Sequence, residues 1–270
     1  MAQKNDYNEG RYLYCIVNSG KETDLGQVGI EDNLVYLVTF KDLGTVVHHC
    51  EAKPYKTEDK EKAGEWILAH QYVIDLATEK FGTVIPMTFD TIFKGDDETV
   101  KNWLSKEYGL LKARLARLEG KAEYGVQIFF DNDYVNKIME YSEEVQKLKR
   151  KLENTSSGTA YLLKKNLEKR IHFEENILTN KYAKELYAEI KKLVEDVKVD
   201  STNREVPEKW KSKQMILNLV CLARKGEIEN LGKMLEEVNK REGFSVRFTG
   251  PWPPYSFVEQ ISESKTEESG

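Results

Sequence analysis

The segment TGPWPPYSF, residues 249–257, combines three prolines with three aromatic residues near the end of a 270-residue chain. A residue that precedes a proline is pushed toward extended backbone, which here applies to Gly250, Trp252 and Pro253. The segment follows a run of β-forming residues at 244–248, so we expect a stiff, extended exit from the last strand. The side chains that we predict to lock this strand onto the body of the protein are Trp252, Tyr255 and Phe257.

This segment has two other interpretations. It could be a ligand for another protein, which stays open, or a catalytic loop, which is disfavoured. The spacing from Pro251 to Pro254 matches PxxP, so a polyproline ligand for an SH3-type groove stays open. Packing against the chain's own domains is favoured, because such ligands usually sit in flexible tails and this one is joined directly to a strand. A catalytic loop is disfavoured, since the segment 249–257 offers Ser256 and Tyr255 without an acid or base among its own residues. The candidate structural or partner-contact residues of the segment are Trp252, Pro253, Pro254, Tyr255 and Phe257.

Length and composition indicate the broad class. A chain of 270 residues favours two domains. With 32% charged residues, a mean hydropathy of -0.61 and no apolar run of membrane-spanning length, we expect a soluble protein with no membrane partner. No secretion signal is recognised at the N-terminus, so the cytoplasm is the expected compartment.

Charge and cysteine usage exclude further classes. A net charge of -5 argues against a general nucleic-acid binder, because phosphate affinity depends on clustered Lys and Arg. Cys15, Cys50 and Cys221 lie far apart within apolar runs, which is typical of reduced, buried thiols rather than of disulfides or a zinc site.

The first half of the chain predicts an α+β domain over residues 9–121. Strand patterns occur at 11–17, 33–40 and 45–50, and antiparallel pairing of these neighbours is expected. A helical pattern over 57–81 carries the apolar stripe Ala63, Trp66, Ile67, His70, Val73, Ile74, Ala77 and Phe81. Residues 83–89 predict an edge strand because Pro86 lacks a ladder donor. A second helix runs from Asp96-Asp97 to Gly120.

The second half predicts another α+β domain over residues 122–258, with long inserted helices. A strand at 125–131 opens a helical region over 133–197 that is interrupted at 154–158. A buried strand at 215–223, a helix at 226–241 and a strand at 244–248 follow. This order favours a ferredoxin-like or related α+β sandwich. Residues 259–270 are polar and acidic without periodicity, which predicts a disordered tail.

Histidine and cysteine side chains are the candidates for a catalytic or metal site. His48, His49 and Cys50 carry groups used in zinc sites and as nucleophiles, but adjacent strand residues point to opposite faces. We favour a strand end with one histidine inward and one outward. His70 lies on the apolar stripe of its helix, where a hydrogen-bonded core residue is typical, and a contact or pH-sensing role is the alternative. No nucleotide-binding or hydrolase motif occurs, so we predict no catalytic residue, no cofactor and no metal.

One basic concentration stands out in the helical region. It comprises Lys147, Lys149, Arg150, Lys151, Lys164, Lys165, Lys169 and Arg170. Acidic residues are interleaved, so a solvated helix pair laced with salt bridges is favoured over a site for an acidic partner.

Six segments together resemble the GvpF/GvpL family of gas vesicle proteins. TGPWPPYSF resembles the C-terminal signature of that family. Five others agree with it in order and position: RYLYCIV, LAHQYVI, GTVIPMTFDTIF, LEGKAEYGVQIFF and SGTAYLLKK. The resemblance covers nearly the whole chain, and one departure is Asp90, where the family more often carries Gly.

The resemblance implies two α+β domains, the C-terminal one ferredoxin-like or modified ferredoxin-like with long inserted helices, and no enzymatic activity. It implies an accessory or minor structural protein of gas vesicle assembly that contacts the hydrophobic shell protein GvpA and other accessory proteins. A shell subunit with apolar surface would aggregate unless a partner covered that surface, which supplies a physical reason for such a protein. The alternatives are a non-enzymatic scaffolding or regulatory protein-binding module and an unrecognised metal or Cys/His enzyme that uses His48, His49 or Cys50.

Overall fold

The computed structural model describes residues 8–153, 157–201 and 208–258. The strands are β1 Glu9–Val17, β2 Asp24–Gln27, β3 Leu34–Phe40, β4 Leu43–Glu51, β5 Val84–Pro86, β6 Ile92–Lys94, β7 Lys121–Phe130, β8 Asp196–Val199, β9 Gln214–Arg224 and β10 Phe244–Trp252. The helices are α1 Lys60–Phe81, α2 Asp97–Leu118, α3 Asn132–Glu140, α4 Glu143–Glu153, α5 Ser157–Lys191 and α6 Ile228–Lys240. Short 3₁₀ turns lie at Ile30–Asp32, Glu208–Trp210 and Tyr255–Phe257. The prediction of a mixed helix and strand fold is confirmed.

The first sheet has the strand order β2-β3-β4-β1-β5, and β6 also pairs with β1. The predicted antiparallel pairing of β1, β3 and β4 is confirmed. β1 is buried along almost its whole length because helices cover both of its faces. On one face Tyr12 bonds His70 of α1, and on the other the Arg11 guanidinium binds Asp97 at the start of α2. A β-bulge between Leu13 and Cys15 shifts the pairing register within the strand.

Helix α1 begins three residues later than the pattern predicted. Asp59 caps it by accepting hydrogen bonds from the backbone of Glu61 and Lys62. The predicted stop at Gly82 is confirmed, because this residue ends the helix with a φ of 83°, which favours glycine. The expectation that Ile67 lies inward is wrong, since it is among the exposed large apolar residues.

The edge strand predicted around Pro86 exists but is short. β5 pairs with β1 at the end of the sheet and spans three residues. Beyond it, Asp90 adopts a φ of 69°, in the left-handed region that glycine occupies without strain. Asp90 compensates with side-chain and backbone contacts, since its carboxylate accepts from Tyr55 N and its own N–H donates to Tyr12 Oη. This explains how the chain departs from Gly at that position.

The second sheet has the strand order β10-β7-β9-β8. Helices α3, α4 and α5 connect β7 to β8, and α6 connects β9 to β10. β2 and β8, of four residues each, were not predicted, because such short segments carry too little alternation to be recognised. The sequence predicted one helix from 133 to the interruption at 154–158, but α3 ends at Glu140 and α4 begins at Glu143. Of the predicted interruption at 154–158, residues 157–158 already belong to α5, and 154–156 lie outside the described residues.

Contacts divide the chain into two compact units. One holds the described residues up to Glu123 and from Pro251 onward, and the other runs from Tyr124 to Gly250. The boundary predicted at 121/122 lies close to this division. Residues 251–258, however, were predicted in the second domain and group with the first unit. Residues 259–270, predicted as a disordered tail, lie outside the described residues.

None of the helices within the described residues combines the length and the apolar character needed to cross a bilayer.

Candidate functional site

His70 lies at the centre of a buried polar cluster in the first unit. Helix α1 turns it toward β1, and its side chain is 4% exposed. Its Nε2 lies 3.2 Å from the carbonyl oxygen of Met87, which can only accept, so Nε2 carries the proton. Nδ1 therefore accepts from Tyr12 Oη at 2.9 Å. The prediction of a hydrogen-bonded core histidine is confirmed.

His48 forms the second half of this cluster from strand β4. Its Nδ1 lies 2.7 Å from Tyr14 Oη and its Nε2 lies 3.0 Å from Tyr55 Oη. The Tyr12 ring stacks on the His48 ring with centroids 5.0 Å apart. We call Tyr12, Tyr14, His48, Tyr55 and His70 the histidine–tyrosine cluster. Tyr12 and Tyr14, two residues apart in the strand segment RYLYCIV, are the sequence signal that could have identified it.

Burial sets the protonation of the histidine–tyrosine cluster. It lowers the pKa of His48 and of His70 to about 4, because a charged imidazole loses its hydration inside the protein. Burial also raises the pKa of Tyr12 and of Tyr14 above the ordinary value for tyrosine. All of these rings are therefore neutral near pH 7. The arrangement holds α1 on the first sheet and offers no acid–base pair matched to neutral pH.

The three residues considered for a metal or Cys/His enzyme do not form one site. His48 is buried in the cluster, whereas His49 points outward, as predicted for neighbours in a strand. Cys50 is buried, and burial raises the pKa of its thiol to about 11, so it is not a thiolate at neutral pH. Among the residues the structure describes, no group of three or more His, Cys, Asp and Glu side chains could hold a metal ion. All three cysteines are free and buried, as predicted.

The C-terminal segment is attached by contacts that sequence reasoning missed. Pro253, Pro254 and Phe257 are buried, as their predicted structural role requires. Tyr255 Oη donates to Gln71 Oε1 of α1 at 3.1 Å. The buried carboxylate of Glu123 accepts from Ser256 N at 2.7 Å and from Ser256 Oγ at 2.8 Å. Sequence alone gave no signal for this contact, because its partners are 133 residues apart.

The role predicted for Trp252 as a packing anchor is wrong. Its side chain is 47% exposed at the last position of β10. Gly250, two residues before it, has a φ of 118°, a conformation that favours glycine. The segment is therefore locked by Phe257 and by the Ser256 contact to Glu123, while the indole remains available at the surface.

The outer side of α1 is the clearest apolar surface of the first unit. Ile67, Leu68 and Tyr72 are exposed to 54%, 71% and 55%. Helical spacing places these side chains on one side of α1, around Gln71. We call these three residues the α1 apolar face. Tyr255 bonds Gln71, so the C-terminal segment reaches the same helix.

Comparison with known proteins places these features in a family. A family model described as gas vesicle synthesis protein GvpL/GvpF matches residues 10–259. Gas vesicle protein L1 of Halobacterium salinarum is 33% identical over 261 residues, which are 95% of this chain and 92% of that protein. Gas vesicle protein L of Haloferax mediterranei is 29% identical over 286 residues, covering 94% of this chain and 88% of that protein.

The fold is also similar to that of a solved structure. The crystal structure of gas vesicle protein GvpF from Anabaena sp. matches with a TM-score of 0.69 at 20% identity, over 94% of this chain and 99% of that one. At this identity the match shows the shared fold, whereas the family model and the sequence relatives carry the assignment. Because these sequence matches span nearly the whole chain, the protein belongs to the GvpL/GvpF family of gas vesicle synthesis proteins.

Proposed function

We propose that this protein supports gas vesicle assembly in the cytoplasm by binding the hydrophobic shell protein GvpA and other accessory proteins. On this proposal it covers apolar surface of shell subunits until the gas-filled shell nucleates. Membership of the GvpL/GvpF family supports a role in assembly, and the names of its relatives are all those of gas vesicle proteins.

The observation that carries the proposal is the α1 apolar face. Large apolar side chains on a rigid helix are a typical docking surface, because burying them in a partner is favoured by about 25 cal/mol per Å² of apolar area. The inner side of α1 is held by His70, Trp66, Val73 and Ile74 in the core. The outer side can therefore bind a partner without any change in how the helix packs.

We further propose that the two compact units are two domains and that the second is ferredoxin-like. Its strand order β10-β7-β9-β8 supports this, together with the chain order of strand, helices, strand, strand, helix and strand. Such an arrangement is typical of the split βαβ fold. Three helices in place of one in the first crossover would make it a modified form.

Co-purification with a GvpA shell protein tests the proposed binding. Leu68→Asp with Tyr72→Asp should abolish co-purification and lower the soluble yield of the co-expressed shell protein, because both changes place charge on the α1 apolar face. Leu110→Asp is the matched control, since this residue is an exposed leucine on α2. All variants should unfold at the wild-type temperature. Wild-type co-purification by the double variant, or an equal loss in the control, would contradict the proposal.

A further inference from the structure

Helix α5 carries a long row of exposed residues. Leu167, Thr179, Leu186 and Ile190 are the buried residues of this 35-residue helix. Exposed residues recur every three or four positions on another side of the helix, from Leu162 to Lys184. We call this row of exposed positions the α5 stripe.

The charge on the α5 stripe has one sign. Its charged members are Lys165, Lys169, Lys181 and Lys184, all exposed. By helical spacing none of the five glutamates of α5 falls within this row. Glu174, beside the Lys181 edge of the row, binds Arg170 at 2.7 Å, and Glu175 lies 3.3 Å from His172. No hydrogen bond or ion pair holds the four ammonium groups within the described residues. Of the basic concentration noted in the sequence, Lys147 and Arg170 make the predicted salt bridges, to Glu144 and Glu174. Lys165 and Lys169, on this row, make none within the described residues.

Large apolar side chains lie between these lysines. Phe173 and Ile177 are each 55% exposed and Leu162 is 59% exposed. Arg170 lies over the Phe173 ring at 5.5 Å, beside the stripe. The remaining exposed positions of the row are asparagines. Solvated helix surfaces usually mix both charge signs and avoid such side chains, so this combination suits a partner that is acidic and apolar at once.

We propose that the α5 stripe binds an amphipathic helix of a partner protein whose apolar row is flanked by glutamate or aspartate. The row from Leu162 to Lys184 is about 33 Å long at 1.5 Å per residue, which matches the length of a single docked helix of about 22 residues. Phe173, Ile177 and Leu162 meet the apolar row of the partner, and the lysines on either side meet its carboxylates. This surface lies in the second unit and goes beyond the α1 apolar face proposed above.

The same observations disfavour other polyanions. Single-stranded nucleic acid is bound by stacking on several aromatic rings, and the stripe offers only Phe173. A membrane surface needs more apolar depth than three side chains separated by lysines and asparagines. A whole-chain charge of -5 also repels extended polyanions more than it repels one short acidic helix.

Fluorescence anisotropy with the full-length protein tests the proposal. The probe is a labelled synthetic helix of about 21 residues with leucines along one side and glutamates flanking them, and its twin carries lysine in place of glutamate. The acidic peptide should bind and its lysine twin should not. Binding should weaken with added salt, because part of the attraction is between exposed charges. Lys169→Glu with Lys181→Glu should weaken it about tenfold or more, and Phe173→Ala with Ile177→Ala should have a similar effect.

Lys164→Glu with Lys192→Glu is the matched control, because it makes the same change in net charge off the stripe and should leave binding unchanged. Equal binding of both peptides, or equal weakening by the control, would overturn the proposal. The proposal would also be overturned if the stripe variants lost binding to poly-uridine RNA or to phosphatidylglycerol vesicles but still bound the peptide. The stripe variants should still co-purify with the shell protein. The α5 stripe proposal and the proposed binding of the shell protein can therefore fail independently of each other.

Discussion

Acidification should destabilise the first unit through the two histidines of the histidine–tyrosine cluster. In the unfolded chain each imidazole titrates near pH 6.5, whereas burial lowers the pKa of His48 and of His70 to about 4 in the folded protein. Between these values the unfolded state binds protons that the folded state excludes, so stability present above pH 6.5 is lost as the pH falls.

The magnitude follows from those values. A full shift from 6.5 to about 4 corresponds to roughly 3 kcal/mol for each histidine, and about 2 kcal/mol of that is already lost at pH 5. The free energy of unfolding should therefore fall by roughly 4 kcal/mol between pH 7.5 and pH 5 from these two residues together.

Urea unfolding followed by tryptophan fluorescence, at a series of pH values, measures this loss. His70→Gln should reduce the slope of unfolding free energy against pH by about one proton near pH 5, because one of the two titrating groups is gone. His172→Gln is the matched control, since that histidine is exposed on α5. A slope that His70→Gln and His48→Gln both leave at the wild-type value would refute the assignment of acid sensitivity to the cluster.

Three further predictions concern the C-terminal segment and the thiols. Trp252→Ala should change the free energy of unfolding by less than about 0.5 kcal/mol, whereas Phe257→Ala should lower it by about 3 kcal/mol. Equal effects of the two variants in thermal unfolding would contradict the assignment of Phe257, and not Trp252, as the packing anchor. Glu123→Ala should lower the free energy of unfolding by about 2 kcal/mol, because it leaves the Ser256 N–H without its acceptor. Ser256→Ala should have a much smaller effect in the Glu123→Ala variant than in the wild-type protein. Cys50 should react with a disulfide reagent at pH 8 only after unfolding, because its thiol pKa is about 11 and its side chain is buried. Rapid labelling of Cys50 in the native protein would contradict this prediction.

Much of the first unit could be predicted because its elements are long and strongly patterned. RYLYCIV contains β-forming residues throughout, and α1 combines an apolar stripe with an Asp cap and a Gly stop. Those signals are local, so they survive without knowledge of the fold. The exposure of Ile67 was missed because an amphipathic pattern gives the direction of the core only within a residue or so on the helix wheel.

The sequence by itself determined the family, through six segments in order, and the character of the long helices and strands. It also placed His70 in the core, because a polar residue on an apolar stripe is buried with its neighbours. Only the tertiary structure decided that His48 and His70 share one set of tyrosines, that Glu123 holds Ser256, and that Trp252 faces outward. Those contacts join residues far apart in the chain, and their energies depend on distance and burial, which no local pattern encodes.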